Sequence, residues 1–203
     1  MKRNTSVWLT GSRGFIGKHL IQGLKKNSID YKCFSNNRSM ENTENDLFYM
    51  DYSSKDNINT YIQEFGCPYS FIHLGWGEMT NPMSELHLTD NVKDAEILIE
   101  TFYLAGLKKF IFIGSVNEYG ASVGSLSENM KPAGRLINYA KGKIQVAQHG
   151  FSMADYFGKQ FIHIRLFYVY GPGQRQGSLI NELFEAYQKN RVPKLGPCDH
   201  YRD

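Results

Sequence analysis

Tyr139 and Lys143 lie four positions apart in Tyr139-Ala140-Lys141-Gly142-Lys143, so on a helix they share one face. An ammonium beside a phenol favours the phenolate and draws a tyrosine pKa down from about 10 toward the working range. Such a tyrosine can exchange a proton with a substrate hydroxyl. With 13 tyrosines in the sequence the spacing alone decides nothing, because a surface helix pair would look the same. A second polar group, Ser115, stands in Gly114-Ser115-Val116-Asn117-Glu118-Tyr119-Gly120, directly after an apolar run, where a serine commonly forms a turn.

Near the start, Thr10-Gly11-Ser12-Arg13-Gly14-Phe15-Ile16-Gly17 follows a short apolar segment. A strand turning sharply into a helix favours glycine at Gly11. The bare backbone at Gly14 lets N–H groups approach a pyrophosphate, and Gly17 allows the helix to pack close to the sheet. A tight strand-to-helix turn would explain the glycines equally, but a strand–loop–helix opening a βαβ series points to a dinucleotide.

The elements that would position these residues are legible as alternation. Strands are expected at 6–10, 31–35, 47–50, 70–74, 110–114 and 161–166. Helices are expected at 15–26, 55–65, 85–105, 136–157 and 178–189. Such alternation predicts an α/β fold, a doubly wound parallel sheet of Rossmann type, with ligands outside the carboxyl ends of the strands.

The GxxGxxG spacing in Thr-Gly-x-x-Gly-Phe-Ile-Gly, with Ser115 four residues before Tyr119-Gly120 and with Tyr139–Lys143, resembles the extended branch of the short-chain dehydrogenase/reductase superfamily. That branch comprises sugar-nucleotide epimerases, dehydratases and reductases. The resemblance implies a catalytic triad. Ser115 would hydrogen-bond the reacting oxygen, Tyr139 would be the acid/base, and Lys143 would polarise Tyr139 and hold the nicotinamide ribose. It further assigns Gly11, Arg13, Gly14, Phe15, Ile16, Gly17, Arg38, Asp51, Leu74 and Gly75 to the cofactor. Asp51 would contact the adenine, or cap the helix that follows. Asn91, Tyr168 and Arg202 would face the substrate, although Tyr168 stands where many members carry a diphosphate-binding asparagine.

The second strand ends in Ser35-Asn36-Asn37-Arg38 without the carboxylate that binds a ribose 2′-hydroxyl. Arg13 and Arg38 suit a 2′-phosphate instead, so NADP is expected, with NAD second. Family 4,6-dehydratases carry Asp-Glu after the triad Ser or Thr, and Val116-Asn117 cannot do that acid/base work. Glu118, one position late on an extended segment, is expected to point elsewhere. The favoured reaction is reduction of a 4-keto nucleotide sugar by NADPH. Epimerisation at C4 with retained NAD is the alternative, and a catalytically silent dinucleotide sensor or scaffold is the reading of another class.

The 203 residues carry a net charge of +3 without a basic block, so neither a nucleic acid nor a membrane is expected as partner. Cys33, Cys67 and Cys198 are odd in number and scattered, which suits reduced thiols in a cytoplasmic protein. The histidines show no ligand-like spacing, and no metal site is expected. The dinucleotide-binding domain is expected over 1–170, and 171–203 is expected to begin a substrate-binding lobe that continues in a longer chain. The third and fourth predicted helices, 85–105 and 136–157, suit a homodimer through a four-helix bundle, or simple packing on the sheet.

Overall fold

The computed structural model describes residues 6–40, 47–174, 177–193 and 195. Six strands form one parallel sheet: β1 (Val7–Thr10), β2 (Tyr31–Ser35), β3 (Leu47–Tyr49), β4 (Ser70–His73), β5 (Lys109–Ser115) and β6 (Gln160–Leu166). Their order across the sheet is β3-β2-β1-β4-β5-β6. The chain therefore winds outward from β1 to one edge and then from β4 to the other. The crevice for a ligand lies where the winding reverses, beyond the ends of β1 and β4.

Helices α1 (Phe15–Lys26), α2 (Lys55–Phe65), α3 (Asp90–Leu104) and α4 (Asn138–Phe157) connect the strands. The larger core is unusually aromatic. Trp8, Phe34, Phe71, Phe102, Phe110 and Phe112 are essentially sealed from solvent, and the Phe71 and Phe102 rings lie 4.3 Å apart. Offset ring packing of this kind adds to the burial of area itself. A smaller cluster of Leu9, Leu24, Cys33, Leu47 and Ile72 is joined by the half-buried Leu20, Ile21 and Leu74.

The expected helix over 85–105 is two elements. A single 3₁₀ turn spans Glu85–His87, and α3 begins only at Asp90. Ser84 stops the first turn from extending backwards by accepting the Leu86 N–H, and the buried His87 side chain bonds the Asn81 carbonyl. Helix α4 likewise starts at Asn138, because Ile137 is extended and the Asn138 amide donates to Met83 O and Glu85 Oε1. Ser115 is the last residue of β5, paired with Leu166, where the sequence had suggested the residue after the strand.

The chain divides into two compact units, 1–166 and 167–203, where the sequence places the division at 170. The second contains α5 (Leu179–Gln188), capped by the Ser178 hydroxyl on Asn181 N–H and tied at its end by an Arg191–Glu182 ion pair.

Candidate active site

The reversal crevice holds a cleft of about 250 Å³. Its walls are the glycine loop (Gly11, Ser12, Arg13, Gly14), the end of β2 (Phe34 to Asn37), Tyr52, the end of β4 (His73, Gly75, Trp76, Gly77) and one face of α3 (Asn91, Asp94). The glycines are dictated by contact. Gly11 has φ of +70°, and a Cβ there would meet Gly75 N at 2.7 Å. A Cβ on Gly17 would run into Gly11 O and sit 2.8 Å from the Ser12 backbone, so only glycine lets α1 start this close to β1. Gly14 caps α1 with no side-chain bond, and the first turn carries no acid. A helix N-terminus with a bare backbone and no local anion suits the pyrophosphate of a dinucleotide, and the residues present fit that group.

Not every sequence-predicted cofactor residue reaches the cleft. Arg13 lines it. Arg38 does not: it begins the short 3₁₀ turn after β2, with its guanidinium 4.9 Å from the Tyr49 ring centroid. Phe15 and Ile16 form the first turn of α1, where Phe15 packs edge-on to His19. Asp51 turns to its own segment, accepting from Ser53 N–H (3.0 Å) and Ser53 Oγ (2.7 Å); the cap of α2 is Ser54. Leu74 packs in the smaller core while Gly75 lines the cleft. Asn91 lines it too, but its amide clamps Gly77, accepting from Gly77 N–H at 2.9 Å and donating to Gly77 O at 3.3 Å. Tyr168 is exposed in the second unit, and Arg202 lies outside the described residues.

Ser115, Tyr139 and Lys143 do come together. The Ser115 hydroxyl accepts from Asn117 N–H at 3.2 Å and lies near the Tyr139 hydroxyl, where it favours the phenolate. Burial nevertheless raises the Tyr139 pKa above the usual value, and the Glu118 charge raises it further. That departs from the expected lowering by Lys143. The Lys143 ammonium instead donates to Ile113 O at 2.8 Å and sits 3.8 Å from the Trp76 ring centroid, against 5.8 Å from that of Tyr139. Lys143 is buried, and the loss of water draws its pKa down to about 7, with Glu118 opposing the fall.

Two residues in the site, Trp76 and Asp94, were not singled out from sequence, and a third, Glu118, was expected to point elsewhere. Trp76 covers Lys143, and its indole donates to His87 Nδ1 at 2.9 Å, which fixes the ring. Asp94 lies one turn beyond Asn91 on the same face of α3. Burial, then the charges of Asp51 and Asp90, raise its pKa to about 6. Glu118 does not sit on an extended segment. Residues Val116–Tyr119 form a 3₁₀ turn, and its carboxylate returns to accept the Ser115 N–H at 2.7 Å. The Ser-x-x-Glu spacing of a capping box was the available signal.

The fold and site define a doubly wound α/β protein with a Ser–Tyr–Lys group at the carboxyl edge of its sheet. The chain belongs to the NAD dependent epimerase/dehydratase family, whose model matches residues 7–203. It is 26% identical over 191 residues to the CDP-abequose synthase of Salmonella typhimurium, covering 91% of this chain and 60% of that protein. It is 27% identical over 199 residues to the ADP-L-glycero-D-manno-heptose-6-epimerase of Cupriavidus pinatubonensis, covering 94% and 60%. The chain thus spans about three fifths of the length of these curated relatives. In structure it resembles a UDP-glucose 4-epimerase solved with UDP-glucose from Thermotoga maritima. The TM-score is 0.77 at 22% identity, covering 98% of this chain and 68% of that one.

Proposed function

We propose that this chain is the dinucleotide-binding and catalytic part of an oxidoreductase that reduces a 4-keto nucleotide sugar with NADPH. The observation that carries the reading is the placement of Ser115, at the end of β5, beside the Tyr139 hydroxyl, with Lys143 one turn along α4. When bound, the nicotinamide cofactor supplies the hydride. Ser115 orients the reacting oxygen, and Tyr139 delivers its phenolic proton to that oxygen as the carbonyl becomes an alcohol. The phenolate left behind is favoured by the neighbouring Ser115 hydroxyl. Val116 and Asn117 offer no acid or base, and Glu118 is occupied by Ser115, His163 and Arg165, which supports reduction over dehydration.

The β2 end lining the cleft is Ser35, Asn36 and Asn37, without a carboxylate, and Arg13 lies across the cleft mouth's glycine loop; both support NADPH. Arg38 packing on Tyr49 favours the second reading, a nucleotide-sugar 4-epimerase that retains NAD. The test is a panel of 4-keto and 4-hydroxy nucleotide sugars with NADPH, NADH and NAD, run on the intact protein and on Tyr139→Phe. Stoichiometric NADPH loss that Tyr139→Phe lowers by about a hundredfold or more supports the first reading. Interconversion of epimers without net cofactor change supports the second. Cofactor binding with no Tyr139-dependent turnover overturns both in favour of a silent sensor or scaffold.

A further inference from the structure

Glu118 is sealed from solvent beside the triad, yet no step proposed above uses it. Its side chain is fully buried and meets charged or polar groups from every neighbouring element. From β5, the Ser115 N–H donates to Oε1 at 2.7 Å. From β6, His163 Nε2 lies 3.1 Å from Oε2 and Arg165 Nε donates to Oε2 at 3.3 Å. From α4, its charge acts on both Tyr139 and Lys143. On its own turn the Tyr119 ring lies under the Arg165 guanidinium, 4.7 Å away.

The surroundings are shaped for this carboxylate. A Cβ on Gly114 would run into both His163 Nε2 and Glu118 Oε1, so the strand residue before Ser115 is bare where the pair passes. Arg165 reaches outward to the Glu128 carbonyl at 3.0 Å, leaving one edge of the cluster toward solvent. A carboxylate taken this far out of water persists only with such partners. Capping alone would need an acceptor, which a neutral amide supplies equally well. It would not need an ion.

We propose that Glu118 is a positioning residue for the Ser115–Tyr139–Lys143 group, fixing the Ser115 main chain and supplying the buried anion that balances Lys143. The inference rests on the triad reading above. Among the described residues Lys143 has the Tyr139 ring, the buried neutral His73 and the Glu118 charge about it, and Glu118 is the one that supplies a countercharge. An anion there holds the protonated forms of both Lys143 and Tyr139, and its removal releases both protons at lower pH.

The test separates charge from shape. Glu118→Gln keeps an acceptor for Ser115 N–H and nearly the same volume, so a purely structural role leaves the pH profile where it was. The expected result is that both limbs of the kcat–pH curve move to lower pH by about half a unit, a threefold change on a limb at fixed pH. A folded Glu118→Gln with an unmoved profile overturns the proposal. Should that variant not fold, Arg165→Gln decides. Stripping the cation leaves the anion less compensated and moves the profile upward, and an unmoved or lowered profile overturns the proposal. A readout independent of turnover is ¹³C-tyrosine NMR, with Tyr139 assigned by Tyr139→Phe. A Tyr139 titration that falls in Glu118→Gln supports the electrostatic link even if no substrate is turned over, whereas absent turnover with cofactor bound counts against the triad reading alone.

Discussion

The Thr10 hydroxyl at the end of β1 and the His73 imidazole at the end of β4 share a buried hydrogen bond of 2.8 Å, and the same hydroxyl accepts the Gly75 N–H at 2.9 Å. One side chain thereby ties together the two strands between which the sheet reverses. Thr10→Val keeps the shape and leaves the buried His73 nitrogen and the part-buried Gly75 N–H without this partner, so it costs about 2 kcal/mol in urea unfolding at pH 7.

The same burial lowers the His73 pKa from 6.5 to about 3. The sign follows. Folded His73 stays neutral while the unfolded chain takes up a proton below 6.5, so stability present above that pH is lost as pH falls toward 3. In an Asp94→Asn background, which removes the opposing carboxyl titration near pH 6, urea midpoints should decline from about pH 7 to about pH 5, and adding His73→Asn should shrink that decline.

Two glycines on α1 should respond oppositely to alanine. Gly23 has open space about its Cβ position, and Gly23→Ala gains about 0.5–1 kcal/mol from helix propensity. Gly17→Ala gains the same propensity, but its methyl would overlap the Gly11 carbonyl, a backbone atom that cannot rotate away. The overlap wins by about 1–3 kcal/mol, and calorimetric binding of NADPH or NADH should weaken with it.

Asp94 brings a reluctant negative charge into the cleft wall. Its raised pKa, about 6, means that part of the fold's stability is present below the unfolded value of 3.8 and lost as pH rises through 6. Asp94→Asn should therefore be more stable at pH 7 by about 1 kcal/mol, after allowing for solvent screening of a half-exposed group, and unchanged near pH 3. Titrations between pH 5 and 8 should show the wild type binding the anionic dinucleotide about two- to fivefold more tightly at the acid end, and Asp94→Asn showing no such slope.

The two tryptophans divide their labour. Trp8 is 1% exposed in the core, while Trp76 lines the cleft against Lys143. Cofactor titration should quench tryptophan emission in the wild type and in the Asp94→Asn variant. The change should vanish in Trp76→Phe while calorimetry still records binding.

The doubly wound α/β class and most helix limits were legible because they rest on local signals: β-rich runs alternating with apolar periodicity, and the glycine turn. The break at Leu88–Thr89 was not, because it depends on His87 being drawn inward to Trp76 and Asn81. The triad spacing could be read, whereas its electrostatics could not. Burial of Lys143 and its approach to Trp76 join residues 67 positions apart, which no local window contains. Glu118 was misjudged for a different reason: an extended segment was assumed where Ser-x-x-Glu encodes a turn.

The Tyr139 N–H donates to the Pro82 carbonyl at 3.0 Å, and the neighbouring Asn138 amide holds Met83. The first turn of α4 is therefore also the anchor of the 77–87 segment, whose other end is clamped by Asn91. A ligand that shifts this segment pulls on the main chain of Tyr139 itself. The wall of the cleft and the start of α4 are thus held by the same few hydrogen bonds.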